Sequence, residues 1–393
     1  MVAIFNIFLK MHHKQLYCSA YVKTIKTIKN PIMKSAIYSV ITGTGSYIPT
    51  RIIRNEDFLT HEFYDAEGEK LKSTSQEIVD KFQEITTISE RRYVTDDLVT
   101  SDTAFYAAAD ALAAAGINKE ELDYIIVAHN FGDIAKGKNR TDIVPCLAAR
   151  VKHTLAIANP HTVSYDLPFG CPGWLQAMIQ ADYYIRSGDA QKILVIGAET
   201  LSRVCDPHDR DSLIYADGAG AVVVEARMSD EPTGILAHNA RSDTLLYSQM
   251  LYMGKSNNTN YQDKTNLFLK MNGRKLYQYA LETVPQSIKE CLEKCSIQLD
   301  KIKKILIHQA NGKMDEAILK RLFGLFNIKN LPDNIMPMSI SWLGNSSVAT
   351  LPTLFDLILK GRLSPHQIHK GDIIVFASVG AGMNINSMVY KAE

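Results

Sequence analysis

Five short apolar runs constrain how this chain can fold more than any other feature: YIIVAH (124–129), KILVIGAE (192–199), AVVVEA (221–226), KKILIH (303–308) and DIIVFASVGAGMN (372–384). Such continuous runs read as strands covered on both faces. Stretches with helical spacing lie between them, at 102–117, 144–157, 272–295 and 314–326. The first is rich in alanine and stops at Gly116, a natural helix end. Buried strands alternating with helices make this an α/β chain. The two halves echo one another, because each has a helix that follows a small-residue turn: GCPG (170–173) and GNSS (344–347). A duplicated architecture follows, with one half over 37–225 and the other over 226–393.

Other stretches say less. Residues 37–42 alternate as a strand, and GTGSYIP (43–49) reads as a tight turn; GTG is not the GxGxxG of a phosphate loop. No period is sustained across 229–266, where SNNTNYQDKTN (256–266) reads as a surface loop. Residues 1–36 read as an extension outside the folded unit, with Met33 as an alternative start.

A net charge of +1 argues against bulk nucleic-acid binding but leaves room for a local basic patch. The six cysteines are scattered with no CxxC pair, so reduced cytosolic thiols are expected rather than a disulfide framework or a structural zinc site. No apolar run approaches the ~20 residues that span a bilayer, so no membrane association is expected.

Cys171 stands out. It follows an alternating approach (163–168) and precedes a helix whose apolar positions include Trp174, Leu175, Met178, Ala181 and Ile185. A cysteine there is either a small buried residue or a nucleophile whose thiolate the helix N-terminus favours, lowering its pKa. His308 closes an apolar strand and Asn345 sits in a turn. Each has an ordinary structural role open to it, as a hydrogen-bonded histidine or a turn asparagine. All three stand where strands end, and ligands of open α/β sheets gather there.

The motifs CDPHDR (205–210), DGAGA (217–221), HQAN (308–311) and GNSSVAT (344–350), with a cysteine on a strand-to-helix turn, resemble the β-ketoacyl-acyl-carrier-protein synthase III family of the thiolase superfamily. The similarity runs from about residue 37 to the C-terminus. Elongating ketosynthases would show a second histidine in place of Asn345. A thiolase would carry a second cysteine in the last glycine turn, which here reads SVGAGMN (378–384).

The resemblance implies a thiolase-like, duplicated five-layer αβαβα fold. It implies that Cys171 takes an acyl group from a thioester while backbone N–H groups of Cys171 and Ala381 hold the oxyanion. His308 and Asn345 would then donate to the carbonyl of a malonyl-type or β-ketoacyl extender as it loses CO₂. The substrates implied are coenzyme A or phosphopantetheine thioesters, with no metal or redox cofactor. An acyl carrier protein is the implied partner, the chain is expected to form a homodimer, and a cytoplasmic location follows. Arg210 matches an arginine at the adenine end of coenzyme A. Lys313 stands where an arginine facing phosphates or the carrier protein is common, and Gly273 lies beside the pantetheine arm. Tyr215 and Tyr277 are acyl-pocket candidates.

GCPGW (170–174) stands in place of the common ACAGF, which implies a reshaped pocket, and two further positions depart from the family pattern. Lys81 replaces a tryptophan that stacks on adenine, and Ile85 replaces an arginine, which favours a carrier-bound or unusual starter over acyl-CoA. Two other readings remain: an acyltransferase of the same fold without decarboxylation, and a non-catalytic binding protein of the superfamily.

Overall fold

The computed structural model describes residues 35–393. The extension expected over 1–36 and the start at Met33 lie outside these residues, apart from positions 35 and 36. In chain order the strands are β1 (Ala36–Tyr47), β2 (Arg51–Arg54), β3 (Glu90–Tyr93), β4 (Tyr124–His129), β5 (Val163–Pro168), β6 (Lys192–Thr200) and β7 (Asp217–Ser229). After them come β8 (Gly234–Ser242), β9 (Leu251–Gly254), β10 (Phe268–Met271), β11 (Ile302–Ile307), β12 (Ile373–Gly380) and β13 (Asn384–Lys391).

Two sheets carry the architecture. The first has the order β1-β7-β6-β4-β5 and the second β11-β12-β13-β8, while β2/β3 and β9/β10 form separate ribbons. In the first sheet β4 runs parallel to both β5 and β6. In the second, β11 runs parallel to β12. The parallel strands β4, β6, β11 and β12 are near-continuous apolar runs, as strands buried on both faces are, whereas the edge strand β5 (VSYDLP) has no fully buried residue.

Two helices, Gly173–Ser187 and Thr350–Leu359, lie between the sheets. Their apolar side chains share one core with Val195 and Val222 of the first sheet and Phe376 and Met388 of the second. The helices Thr100–Ala115 and Leu147–Thr154 cover the outer face of the first sheet. Gly273–Lys294 and Gly312–Gly324 cover that of the second. Helix, sheet, helix, sheet, helix: these are the five αβαβα layers. No helix of the described residues is long and apolar enough to cross a membrane.

The GTG segment corrects the sequence reading. β1 does not turn there but runs straight through Gly43 and Gly45 to Tyr47. A Cβ on Gly43 would lie 2.4 Å from the Ala111 carbonyl oxygen, and one on Gly45 2.3 Å from that of Ala107. The glycines let the alanine-rich helix press its backbone against the strand. Gly45→Ala should therefore destabilise the protein at the upper end of the ~1–3 kcal/mol typical of overpacking. A lowered denaturant midpoint with unchanged slope would show it.

The region 229–266 is also more ordered than its pattern implies. Within it, β8 pairs antiparallel with β13 and closes the second sheet. Only its first two residues are buried, and its end is exposed, so it carries no continuous apolar run.

Candidate active site

Each of the three proposed catalytic side chains is set by a local turn. Cys171 lies between the end of β5 and the N-terminus of the inner helix Gly173–Ser187. His308 follows β11 directly, its N–H donating to the Ala377 carbonyl at 2.8 Å. Asn345 is pinned by its backbone: its N–H donates to the Ile214 carbonyl at 3.0 Å and its own carbonyl accepts from Ala216 N–H at 2.8 Å. All three line one cavity of about 500 Å³, a volume usual for a small-molecule site. Its other walls are mostly apolar, among them Phe82, Ile85, Leu201, Met253, Leu269 and Met314.

The amide of Asn345 has a fixed sense. Its Oδ1 accepts the Ser347 N–H at 2.8 Å, which leaves Nδ2 free to donate into the cavity. The His308 ring is buried and its Nδ1 has no partner. Burial holds this imidazole down at about 4, so it is neutral at physiological pH. His129 makes a useful contrast. Its Nδ1 accepts from Gly132 N–H at 3.0 Å and its Nε2 meets Asp166 Oδ2 at 2.9 Å. That histidine is fully engaged in holding β4 beside β5; His308 is not.

The thiol behaves against expectation. Burial pushes Cys171 up to about 11, with a Ser347 hydrogen bond lowering it and the nearby Glu199 charge raising it. The helix N-terminus does not outweigh desolvation here. With His308 at about 4, the resting pair is a thiol and a neutral imidazole.

Two glycines bring the backbones around the sulfur together. A Cβ on Gly170 would lie 2.5 Å from the Ala381 nitrogen, and one on Gly380 would lie 2.5 Å from the Cys171 nitrogen. The Cys171 turn and the Ala381 turn therefore sit in direct backbone contact.

The binding candidates divide. Gly273, Tyr215 and Tyr277 line the cavity with the three catalytic candidates. Arg210 is exposed and lies outside its lining. Lys313 is also exposed and reaches Glu84 at 3.4 Å, which pairs with Lys81 at 2.8 Å as well. Ile85 stands 37% exposed at the edge of the cavity, so an apolar side chain occupies the wall where the family pattern has a cation.

Several residues near the sulfur escaped the sequence reading. Asn130, Asp211 and Ser347 line the cavity, and Glu199 lies buried behind them. Ser347 could have been suspected from GNSS, two residues after Asn345; nothing local marks Asn130 or Glu199. Burial raises the Asp211 carboxyl above the usual carboxylate range. Among the described residues no group of three or more His, Cys, Asp or Glu side chains is placed to hold a metal ion.

Known proteins resemble this chain over most of its length. Residues 165–244 match the family model described as 3-oxoacyl-[acyl-carrier-protein] synthase III, and residues 292–392 match the model of its C-terminal domain. A beta-ketoacyl-[acyl-carrier-protein] synthase III of Xanthomonas campestris is 31% identical over 363 residues, covering 91% of this chain and 100% of that protein. The Staphylococcus aureus protein of the same name is 32% identical over 352 residues, covering 89% and 98%. Among solved structures, the synthase III of Thermus thermophilus superposes with a TM-score of 0.74 at 29% identity, covering 90% of this chain and 99% of that one. Because the likeness runs through both sheets and holds over the whole length of these relatives, the chain belongs to the β-ketoacyl-acyl-carrier-protein synthase III family.

Proposed function

We propose that the protein is a condensing enzyme that loads an acyl group on Cys171 and joins it, with loss of CO₂, to a malonyl-type thioester. The observation that carries this reading is the convergence of Cys171, His308 and Asn345 on one apolar cavity. Attack of sulfur on a thioester carbonyl forms a tetrahedral oxyanion, which on this reading the Cys171 and Ala381 N–H groups receive; the close backbone contact of their two turns supports it. The sulfur loses its proton as it attacks, and the starter's thiol leaves. The neutral His308 ring and the Asn345 Nδ2 then donate to the extender's carbonyl oxygen while its carboxylate departs. Both groups donate without becoming ionised, which suits an enolate formed in an apolar pocket. The enolate attacks the acyl group and frees Cys171.

The substrates on this reading are coenzyme A or phosphopantetheine thioesters, and the chemistry calls for no metal or redox cofactor. An acyl carrier protein is the partner that presents the pantetheine arm, with Lys313 at its approach and Arg210 as a contact for coenzyme A. Gly273 leaves room for the arm, and Tyr215 and Tyr277 shape the acyl pocket. A homodimer fits the open edge of β5, the last strand of its sheet, where Val163 is exposed. The described cysteines are all free, in keeping with a reducing cytoplasm.

The test is to incubate the protein with a panel of acyl-coenzyme A and acyl-carrier thioesters and weigh the adduct. Carboxyl-labelled malonyl thioester is then added. Adduct formation followed by labelled CO₂ release is the expected result. An adduct without CO₂ would mean acyl transfer alone, and no adduct from any thioester would mean a non-catalytic protein.

Ile85 and Lys81 bear on the starter. On the helix Ser75–Thr86 the Lys81–Glu84–Lys313 cluster and the apolar Ile85 stand where the family pattern has a tryptophan and an arginine, and Phe82 is its one aromatic ring. Lys81→Trp with Ile85→Arg should raise kcat/KM for acyl-coenzyme A starters relative to carrier-bound ones by about tenfold, the worth of one stacking or cation–π contact of ~1–2 kcal/mol. An unchanged ratio in competition assays would separate these positions from starter choice.

A further inference from the structure

A chain of hydrogen bonds runs from the Cys171 sulfur into the first sheet. Ser347 Oγ lies 3.3 Å from Cys171 Sγ. Asn130 Nδ2 donates to Ser347 Oγ at 3.0 Å. The same Nδ2 donates to Glu199 Oε2, which also accepts the Asn130 backbone N–H at 2.8 Å. The directions follow from valence. A carboxylate only accepts, so it fixes which side of the Asn130 amide faces it. One Nδ2 hydrogen goes to Glu199 and the other to Ser347. The Ser347 oxygen is thus an acceptor for Asn130, and its single hydrogen is left for the sulfur.

The framework around this chain is tight. A Cβ on Gly197 of β6 would lie 2.4 Å from the Val348 carbonyl oxygen, so the strand and the GNSS turn meet backbone to backbone. Ser347 holds a left-handed φ of 53° and its N–H is bound to Asn345 Oδ1 at 2.8 Å. The turn that aims Asn345 therefore aims Ser347 too.

We propose that Ser347 is the hydrogen-bond donor that stabilises the Cys171 thiolate during acyl loading, and that Asn130, anchored by Glu199, is the positioning residue that commits Ser347 to that role. This rests on the reading of Cys171 as the nucleophile. A sulfur deprived of water needs a replacement donor when it ionises, and the Ser347 hydroxyl is already turned toward it. The ionisable groups facing the sulfur are Glu199 on β6, His308 after β11 and the Tyr215 phenol, and the same cavity is lined by Arg274 and by Asp211, whose carboxyl burial raises to about 7. The charge on Glu199 opposes the thiolate, and the neutral His308 and Tyr215 bring no charge to either side.

Iodoacetamide alkylation of Cys171 tests this without any acyl substrate. Rates would be read by peptide mass mapping on the full chain across pH 6–9, below the thiol's pKa, where rate follows the thiolate fraction. Ser347→Ala should slow alkylation about tenfold, equivalent to a rise of about one pKa unit. Alanine is chosen because a β-branched residue would strain the left-handed backbone. A purely structural role predicts the opposite sign, since a missing hydroxyl would loosen the site, admit water and speed the reaction. Asn130→Ala should slow it less, and the double variant no more than Ser347→Ala alone, because Asn130 acts through Ser347. Glu199→Gln keeps an acceptor for Asn130 and removes the opposing charge, so alkylation should quicken. An unchanged or faster rate in Ser347→Ala would overturn the donor role. Additive losses in the double variant would overturn the positioning role of Asn130, and a Glu199→Gln rate no faster than wild type would overturn the opposing effect of its charge. If the wild type accepts no acyl group but Ser347→Ala still slows alkylation, the proposed function falls and the thiolate donor stands.

Discussion

Cys171→Ala should leave no acyl adduct on the protein from any thioester, while Asn345→Ala should load at close to the wild-type rate and condense ~10²–10³-fold more slowly. The split follows from where each group acts. Sulfur forms the bond that holds the starter, so without it there is nothing to weigh. The Asn345 amide has its Oδ1 tied to Ser347 and only its Nδ2 left to donate, and in the proposed reaction that donor meets the extender's developing charge rather than the first attack. Removing one such donor typically costs the factor given. Intact-protein mass spectrometry reads the first step and labelled CO₂ release the second. Equal loss of loading in both variants would contradict the roles assigned to them.

Gly380→Ala is expected to slow loading by about 100-fold or more while leaving the fold intact. Gly380 itself is in extended backbone, with φ of −168°, so alanine is acceptable there on conformational grounds. The obstacle is space: its Cβ would fall 2.5 Å from the Cys171 nitrogen and 2.7 Å from Pro172 Cδ. The two turns must part, and with them the pair of N–H groups that meet the oxyanion. The β12–β13 ladder behind the turn pairs from Ile373/Lys391 through Gly380/Asn384, and it should keep most of the stability. Quench-flow loading rates set beside the thermal midpoint would separate the two effects. Unchanged loading would place the oxyanion donors elsewhere.

Two of the three central residues, Cys171 and His308, could be read from the chain because they stand at strand ends, which announce themselves by local pattern; Asn345, also expected at a strand end, instead follows the short helix Ile340–Leu343. What was misread was decided by neighbours distant in sequence. Gly43 and Gly45 have the composition of a turn, yet the Thr100–Ala115 helix is what requires them to be glycine. β8 was missed because only its first two residues are buried. The place of Cys171 before a helix allows either a buried thiol or an acidic one, and burial pushes it up. How much water is withdrawn from it depends on the packing of both halves, which no local window contains. Ser347, Asn130 and Glu199 meet only after folding, and Asn130 lies 217 residues from Ser347.

That separation bears on when the protein can begin to react. Cys171 and Ser347 are 176 residues apart, so during synthesis the sulfur leaves the ribosome long before its partners exist. Until the last glycine turn has been translated and docked, a nascent chain holds a thiol with no oxyanion pocket and no donor for an enolate. Competence to accept an acyl group is therefore a mark of a finished molecule, and passing thioesters are spared from half-made copies.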